Sequence, residues 1–208
     1  VFTRTLARPA ALAGAALTAA FVLSACGGAD HPTAGHDPSA ATGTPTAGAA
    51  ASFGAADVMF AQMMIPHHQQ AVEMAGLAET RAADPEVKRL AAQIKAAQAP
   101  EIATMTGWLA AWGRPAPSAS AGHGMPGMDH GTSGMMSEAD LAKLAAASGS
   151  DFDRQFLTMM IAHHEGAVTM AKEETARGTH PDATALARQI VITQEGEIGA
   201  MRKLLDRL

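Results

Sequence analysis

Cysteine, tyrosine and basic charge are what this 208-residue chain has least of. It holds one cysteine, no tyrosine and 4% aromatic residues, with 15 Lys and Arg against 20 Asp and Glu. A lone Cys26 can close no internal disulfide, and it cannot build a thiolate zinc site. The acidic balance leaves no basic stripe to neutralise phosphates, and the scarcity of aromatics removes stacking platforms, so nucleic acid is not an expected partner. Catalytic signatures are missing too: there is no Glu-x-x-His, no Cys-x-x-Cys-His and no glycine-rich phosphate loop after a strand. An enzyme is not expected. Methionine and histidine are abundant instead, at 13 and nine.

One apolar run stands out, Ala10 to Leu23, preceded by Arg4 and Arg8 and followed by Leu23-Ser24-Ala25-Cys26. It is too short and too Ala-rich for a stable membrane span and has the layout of a cleaved export signal. The tetrapeptide resembles a bacterial lipoprotein signal, with Cys26 as the lipidated first residue of the mature chain. Residues 1–25 are thus expected to be a signal peptide and residues 26–52, rich in Ala, Gly, Pro, Ser and Thr, a flexible tether from the membrane. The expected location is extracytoplasmic, lipid-anchored to the cell membrane. Without its two signal arginines the chain carries a formal charge of −7, and every methionine and histidine is retained.

The remainder, 53–208, contains a duplication. Met63-Met64-Ile65-Pro66-His67-His68 recurs as Met159-Met160-Ile161-Ala162-His163-His164, an offset of 96 residues. The same offset takes Asp57 to Asp153, Phe60 to Phe156 and Met74 to Met170. It also takes Gln98, Glu101 and Met105 to Gln194, Glu197 and Met201. Phe60, Met64, His67, Ala71, Met74 and Ala78 step by four and three, the spacing of a helical seam. Asp84-Pro85-Glu86 then restarts a helix with an N-cap aspartate and Pro in the first turn. Its seam is Leu90, Ile94, Gln98, Glu101, Met105, Trp108 and Trp112. Each copy reads as an antiparallel helical hairpin, 53–112 and 150–208, joined by a Met/His-rich linker, 113–149, with a short helix opening near Ser137. One hairpin buries too little surface by itself, so the two should pair into an all-α four-helix bundle. Pro66 and Pro100 each remove a helical backbone bond and should kink the first hairpin more than the second, which has Ala162 and Gly196 there.

Facing positions in the first hairpin should sum to about 167. His67 is then expected opposite Gln98 and Glu101, and Met63 and Met64 opposite Met105. His163 takes the same place against Gln194 and Glu197, and Met159 and Met160 against Met201. His67 and His163 read as inward ligands, with Glu101 and Glu197 orienting their rings. His68 and His164 read as flanking. Imidazole and thioether together suit a soft ion, Cu(I) or Ag(I), and histidine extends the range to Cu(II). Methionine at helical spacing is also ordinary core filler, and that alternative stays open here. Four linker residues, His123, Met125, Met128 and His130, with Met135 and Met136, form a possible auxiliary site, because a Gly- and Pro-rich loop gives methionine no packing role.

The stretches 53–112 and 150–208 resemble the domain-of-unknown-function 305 family. They do so through the doubled Met-Met-Ile-x-His-His, Ala71-Val72-Glu73-Met74-Ala75, Gln98, Glu101-Ile102 and Met105 with their counterparts. The resemblance implies a ferritin-like fold, export, and copper binding by Met63, Met64, His67, His68, Met74, Met105, Met159, Met160, His163, His164, Met170 and Met201. The function expected is copper buffering, tolerance or transfer, the last needing a protein partner. A metal-free interaction module on the cell surface, a di-iron bundle and a haem-binding bundle are the rival readings.

Overall fold

The computed structural model describes residues 52–117 and 134–208. Five helices follow in order: α1 (Ala55–Arg81), α2 (Pro85–Ala111), α3 (Glu138–Ala146), α4 (Gly149–Arg177) and α5 (Pro181–Arg207). The signal, the tether as far as residue 51, Cys26, His123, Met125, Met128 and His130 lie outside the described residues.

Local chemistry sets the helix ends. Asp84 accepts from the N–H groups of Glu86 (2.7 Å) and Val87 (3.3 Å), with Pro85 at the first helical position. In the second copy His180 takes the same place, its Nδ1 accepting from the Ala183 N–H at 3.4 Å ahead of Pro181. After α2, Gly113 adopts φ +62°, Gly113 N–H returns to Ala110 and Arg114 N–H to Leu109. This is a Schellman stop that a left-handed glycine permits. Ser137 caps α3 through Asp140. Both prolines sit inside helices that continue through them, α1 past Pro66 and α2 past Pro100. No helix among the described residues is long and apolar enough to cross a membrane.

The expected α1 seam is buried throughout, at Phe60, Met64, His67, Ala71, Met74 and Ala78. On α2 Leu90, Ile94, Gln98 and Met105 are buried, Glu101, Trp108 and Trp112 are half-buried, and Leu109 is the buried residue the expected seam left out. On α1 the buried stripe is wider than one seam, taking in Asp57, Ala61, Ile65, His68 and Ala75 as well. The reason is neighbours. α1 packs along α2 within its hairpin and along α4 of the other, while α2 and α5 touch little. The result is an all-α bundle in which α1 and α4 are the central, antiparallel pair.

Turns and helix starts lock the hairpins together reciprocally. The Asp153 carboxylate, on α4, accepts from the N–H groups of Ala83 (3.2 Å) and Asp84 (2.9 Å) in the α1–α2 turn. Its counterpart Asp57, on α1, accepts from Thr179 N–H (3.0 Å) and His180 N–H (2.8 Å) in the α4–α5 turn. Each copy therefore supplies acceptors for the orphan donors of the other copy's turn.

Candidate metal centre

The paired histidines fall halfway along α1 and α4, where the two central helices cross, and all four are buried. The His67 and His163 rings meet across the hairpin interface, centroids 3.7 Å apart and tilted by 39°. His68 and His164 turn the other way, each toward its own hairpin partner. Nε2 of His68 lies 2.7 Å from Glu101 Oε2, and Nε2 of His164 lies 2.8 Å from Glu197 Oε2.

This corrects the sequence reading on one point. Glu101 and Glu197 orient His68 and His164, not His67 and His163, and His68 and His164 are not flanking but fully enclosed. The cause is the double packing of α1 and α4. Successive residues point about 100° apart around a helix, so with a neighbour on each side both histidines of a pair are covered. A ligating histidine commonly gives one ring N–H to a carboxylate and keeps the other nitrogen for the metal, and Nε2 against Glu101 or Glu197 with Nδ1 turned inside has that layout. Nδ1 of His68 and Nδ1 of His164 are buried with no hydrogen-bond partner.

Neither ring nitrogen of His163 makes a hydrogen bond of good geometry. Burial, then the neighbouring imidazoles of His67, His164 and His68, hold it well below the ordinary histidine pKa, against a smaller opposing pull from the His67 backbone. A neutral ring with a free lone pair is the form that binds a metal ion. Gln98 and Gln194, near Glu101 and Glu197 on α2 and α5, are also buried with unpartnered amide oxygens. Buried polar atoms without partners cost stability, so a layer holding several of them fits an occupant that is not protein.

Methionines flank this layer on both sides. Met64 and Met105 share one apolar cluster with Phe60 and Leu109, and Met170 packs against it. Met160, Met201 and Met74 share the other with Phe152 and Phe156, and Met159 packs against it. Met64 thus shares a cluster with Met105, and Met160 with Met201. Met63 and Met159 are half-buried. Among the described residues no group of three or more His, Cys, Asp and Glu side chains is arranged to hold a metal. The donors on offer at this level are imidazole and thioether.

The linker is less free than its composition suggests. Gln70 Nε2 donates to the Met136 carbonyl (2.9 Å) and Gln70 Oε1 accepts from the Met136 N–H (2.7 Å). Met136 packs against the core, so the expectation that it lacks a packing role is wrong; Met135 beside it is half-buried. Gly134, at φ +79°, lies so close to α4 that a Cβ would stand 2.6 Å from the Ala162 carbonyl oxygen and 2.9 Å from that of His163. At the other end Gln62 Nε2 donates to the Pro115 carbonyl at 3.0 Å. Both described ends of the linker are therefore anchored on α1 and α4 beside the histidine layer.

Two groups near the α1 start, Asp57 and Glu174, have no role assigned from the sequence. Burial pushes the Glu174 carboxyl up, and the adjacent Asp57 pushes it further, to about 8. Burial would raise Asp57 too, but hydrogen bonds from Gly54, His180, Glu174 and Thr179 outweigh it and bring its pKa down to about 2. The repetition of Asp57 as Asp153 was the available signal for the turn contacts. Glu174 replaces Ala78 of the first copy, and nothing in the periodicity marks it as buried.

Comparisons with known proteins agree with this architecture. Residues 57–205 match the family model described as Domain of unknown function (DUF305). A DUF305 protein from Streptomyces coelicolor, described as secreted, is 39% identical with a TM-score of 0.67, over 73% of this chain and 91% of that one. CopM, solved in a Cu(II)-bound form, is 38% identical with a TM-score of 0.62, over 73% of this chain and 96% of that one. CopM is also solved with Cu(I) and with silver. An uncharacterized protein, L153 of Acanthamoeba polyphaga mimivirus, is 43% identical over 54 residues, 26% of this chain; the chain spans only 36% of that curated relative. The family match over most of the chain, with the doubled hairpin and its histidine layer, places this protein in the DUF305 family.

Proposed function

We propose that this protein binds copper outside the cytoplasm, held at the membrane through a lipidated Cys26, and that it buffers the ion or hands it to a protein partner. The copper is cargo, and no chemical transformation is assigned to the chain. The observation that carries the reading is the enclosed imidazole layer of His67, His68, His163 and His164, neutral at His163, backed by Glu101 and Glu197 and bordered by thioethers. It is supported by CopM, a relative solved with Cu(I), Cu(II) and silver. Thioether and imidazole favour Cu(I) over harder ions. Met63, Met64, Met105 and Met170 on one side, with Met159, Met160, Met201 and Met74 on the other, are the sulfur donors that border that layer.

The test is a Cu(I) titration against a competing chelator, comparing the wild type with a His67→Leu, His163→Leu double variant whose helicity is checked by circular dichroism. The variant should lose at least about tenfold in affinity; at a free copper concentration about a hundred times the wild-type Kd the wild type should gain about 3 kcal/mol of stability and the variant at most about half of that. Equal affinities would refute the assignment. A melting temperature that ignores copper and silver would favour a metal-free interaction module.

A further inference from the structure

Among the described residues two large apolar side chains are strongly exposed, Met59 (52%) and Ile192 (67%). Ile192 is a lone surface residue of α5. Met59 has company. It precedes Met63 by four residues and His67 by eight, so the three lie along one stripe of α1, a turn apart. Exposure falls along that stripe, from Met59 through half-buried Met63 to His67 at 2%. The linker anchors flank Met63, at Gln62 through Pro115 and at Gln70 through Met136, and Met59 precedes both of them on α1, exposed. The antiparallel register that pairs His67 with His163 and Asp57 with Glu174 also sets half-buried Met170 of α4 level with Met59.

The second copy breaks the pattern. Met63 and His67 recur as Met159 and His163, but the position of Met59 is Gln155, and that of Met170 is the fully buried Met74. An amide oxygen is a poor ligand for a soft ion, and a thioether is a good one. A graded line of sulfur from solvent to the imidazole layer therefore exists at one end of the bundle.

We propose that Met59 and Met63 form an outer docking site for a soft monovalent cation, Cu(I) or Ag(I), from which it reaches the buried histidine layer through the first copy. This rests on the copper-binding reading above. The step is ligand exchange: a thioether bond to the ion forms as the bond to its previous ligand breaks, with no change of oxidation state. Met59 acts on capture and not on the final affinity, which is set by the buried donors.

Two measurements on the intact protein test it. In methionine-methyl NMR with substoichiometric Ag(I), the Met59 and Met63 methyl signals should shift in the first additions. In stopped-flow transfer from a coloured Cu(I)–chelator complex, Met59→Leu should slow uptake at least about fivefold while equilibrium affinity stays within about twofold. Leucine keeps the apolar volume at a solvent-facing position, so folding is not at stake. Gln155→Met, which builds the same ladder in the second copy, should speed uptake. Wild-type transfer rates in Met59→Leu, or a Met59 methyl that moves only after the buried sites are full, overturn the proposal while leaving copper binding intact. Failure of the wild type to bind Ag(I) or Cu(I) at all overturns both.

Discussion

Replacing Glu174 by glutamine should change how stability depends on pH. Glu174 is 2% exposed, and the group beside its carboxyl is the ionised Asp57, so burial and a like charge both disfavour its ionisation. An unfolded chain ionises this group near 4.5, the folded one at about 8. Between those values the folded state holds a proton that the unfolded state releases, so stability falls as pH rises through the interval. At about 1.4 kcal/mol per pKa unit, the loss between about pH 5 and pH 8 is on the order of 3 kcal/mol. Glutamine keeps the volume and a donor for Asp57 without a proton to lose. Urea unfolding at about pH 5 and about pH 8 should show the wild type weakening and the Glu174→Gln variant holding, the two nearly equal at the acid end. Parallel profiles for the two proteins would refute the reasoning, because they would mean that Glu174 ionises freely in the fold. At the acid extreme Asp57 acts with the opposite sign. Its pKa is lowered from 3.8 to about 2, so its contribution is complete above 3.8 and disappears as pH falls toward 2.

Two further perturbations address the joints around the site. Asp153→Ala strands the Ala83 and Asp84 N–H groups and should cost about 2–3 kcal/mol. Faster hydrogen exchange at those two amides is the specific sign, and a loss under about 0.5 kcal/mol would sink the assignment. Gly134→Ala puts a Cβ against the Ala162 and His163 carbonyls and strains a left-handed backbone, at roughly 1–2 kcal/mol. The segment through Met136 should lift from α4 and become the first point of proteolytic cleavage; a cleavage pattern identical to the wild type would show that the strap does not need glycine.

Much of the fold was legible because it is local. The four-and-three spacing of Phe60, Met64, His67, Ala71, Met74 and Ala78 and the Asp84-Pro85 cap are properties of single helices, and the offset of 96 residues gave the second hairpin from the first. The division of labour within each histidine pair was not legible. One hairpin considered alone has a single inner face, whereas α1 in the bundle has two: the second, toward α4, takes His67 and leaves the α2 face to His68. Asp57 and Asp153 were visible as repeated, but their partners lie 122 and 70 residues away, beyond any periodic pattern. Met136 misled for a related reason: loop composition says nothing about a backbone clamp from Gln70.

The exchange of Asp57 and Asp153 between turns makes the chain a homodimer written on one strand. Each half carries the acceptor that completes the other's corner, so a half taken alone leaves turn N–H groups without their acceptor and its own carboxylate without the partners across the interface. The histidine layer lies on the pseudo-twofold axis of that internal dimer, with one imidazole of the touching pair from each half. Cargo at that layer would thus sit on the seam between equals, and whatever pries the halves apart would open the binding layer and both corners in one motion.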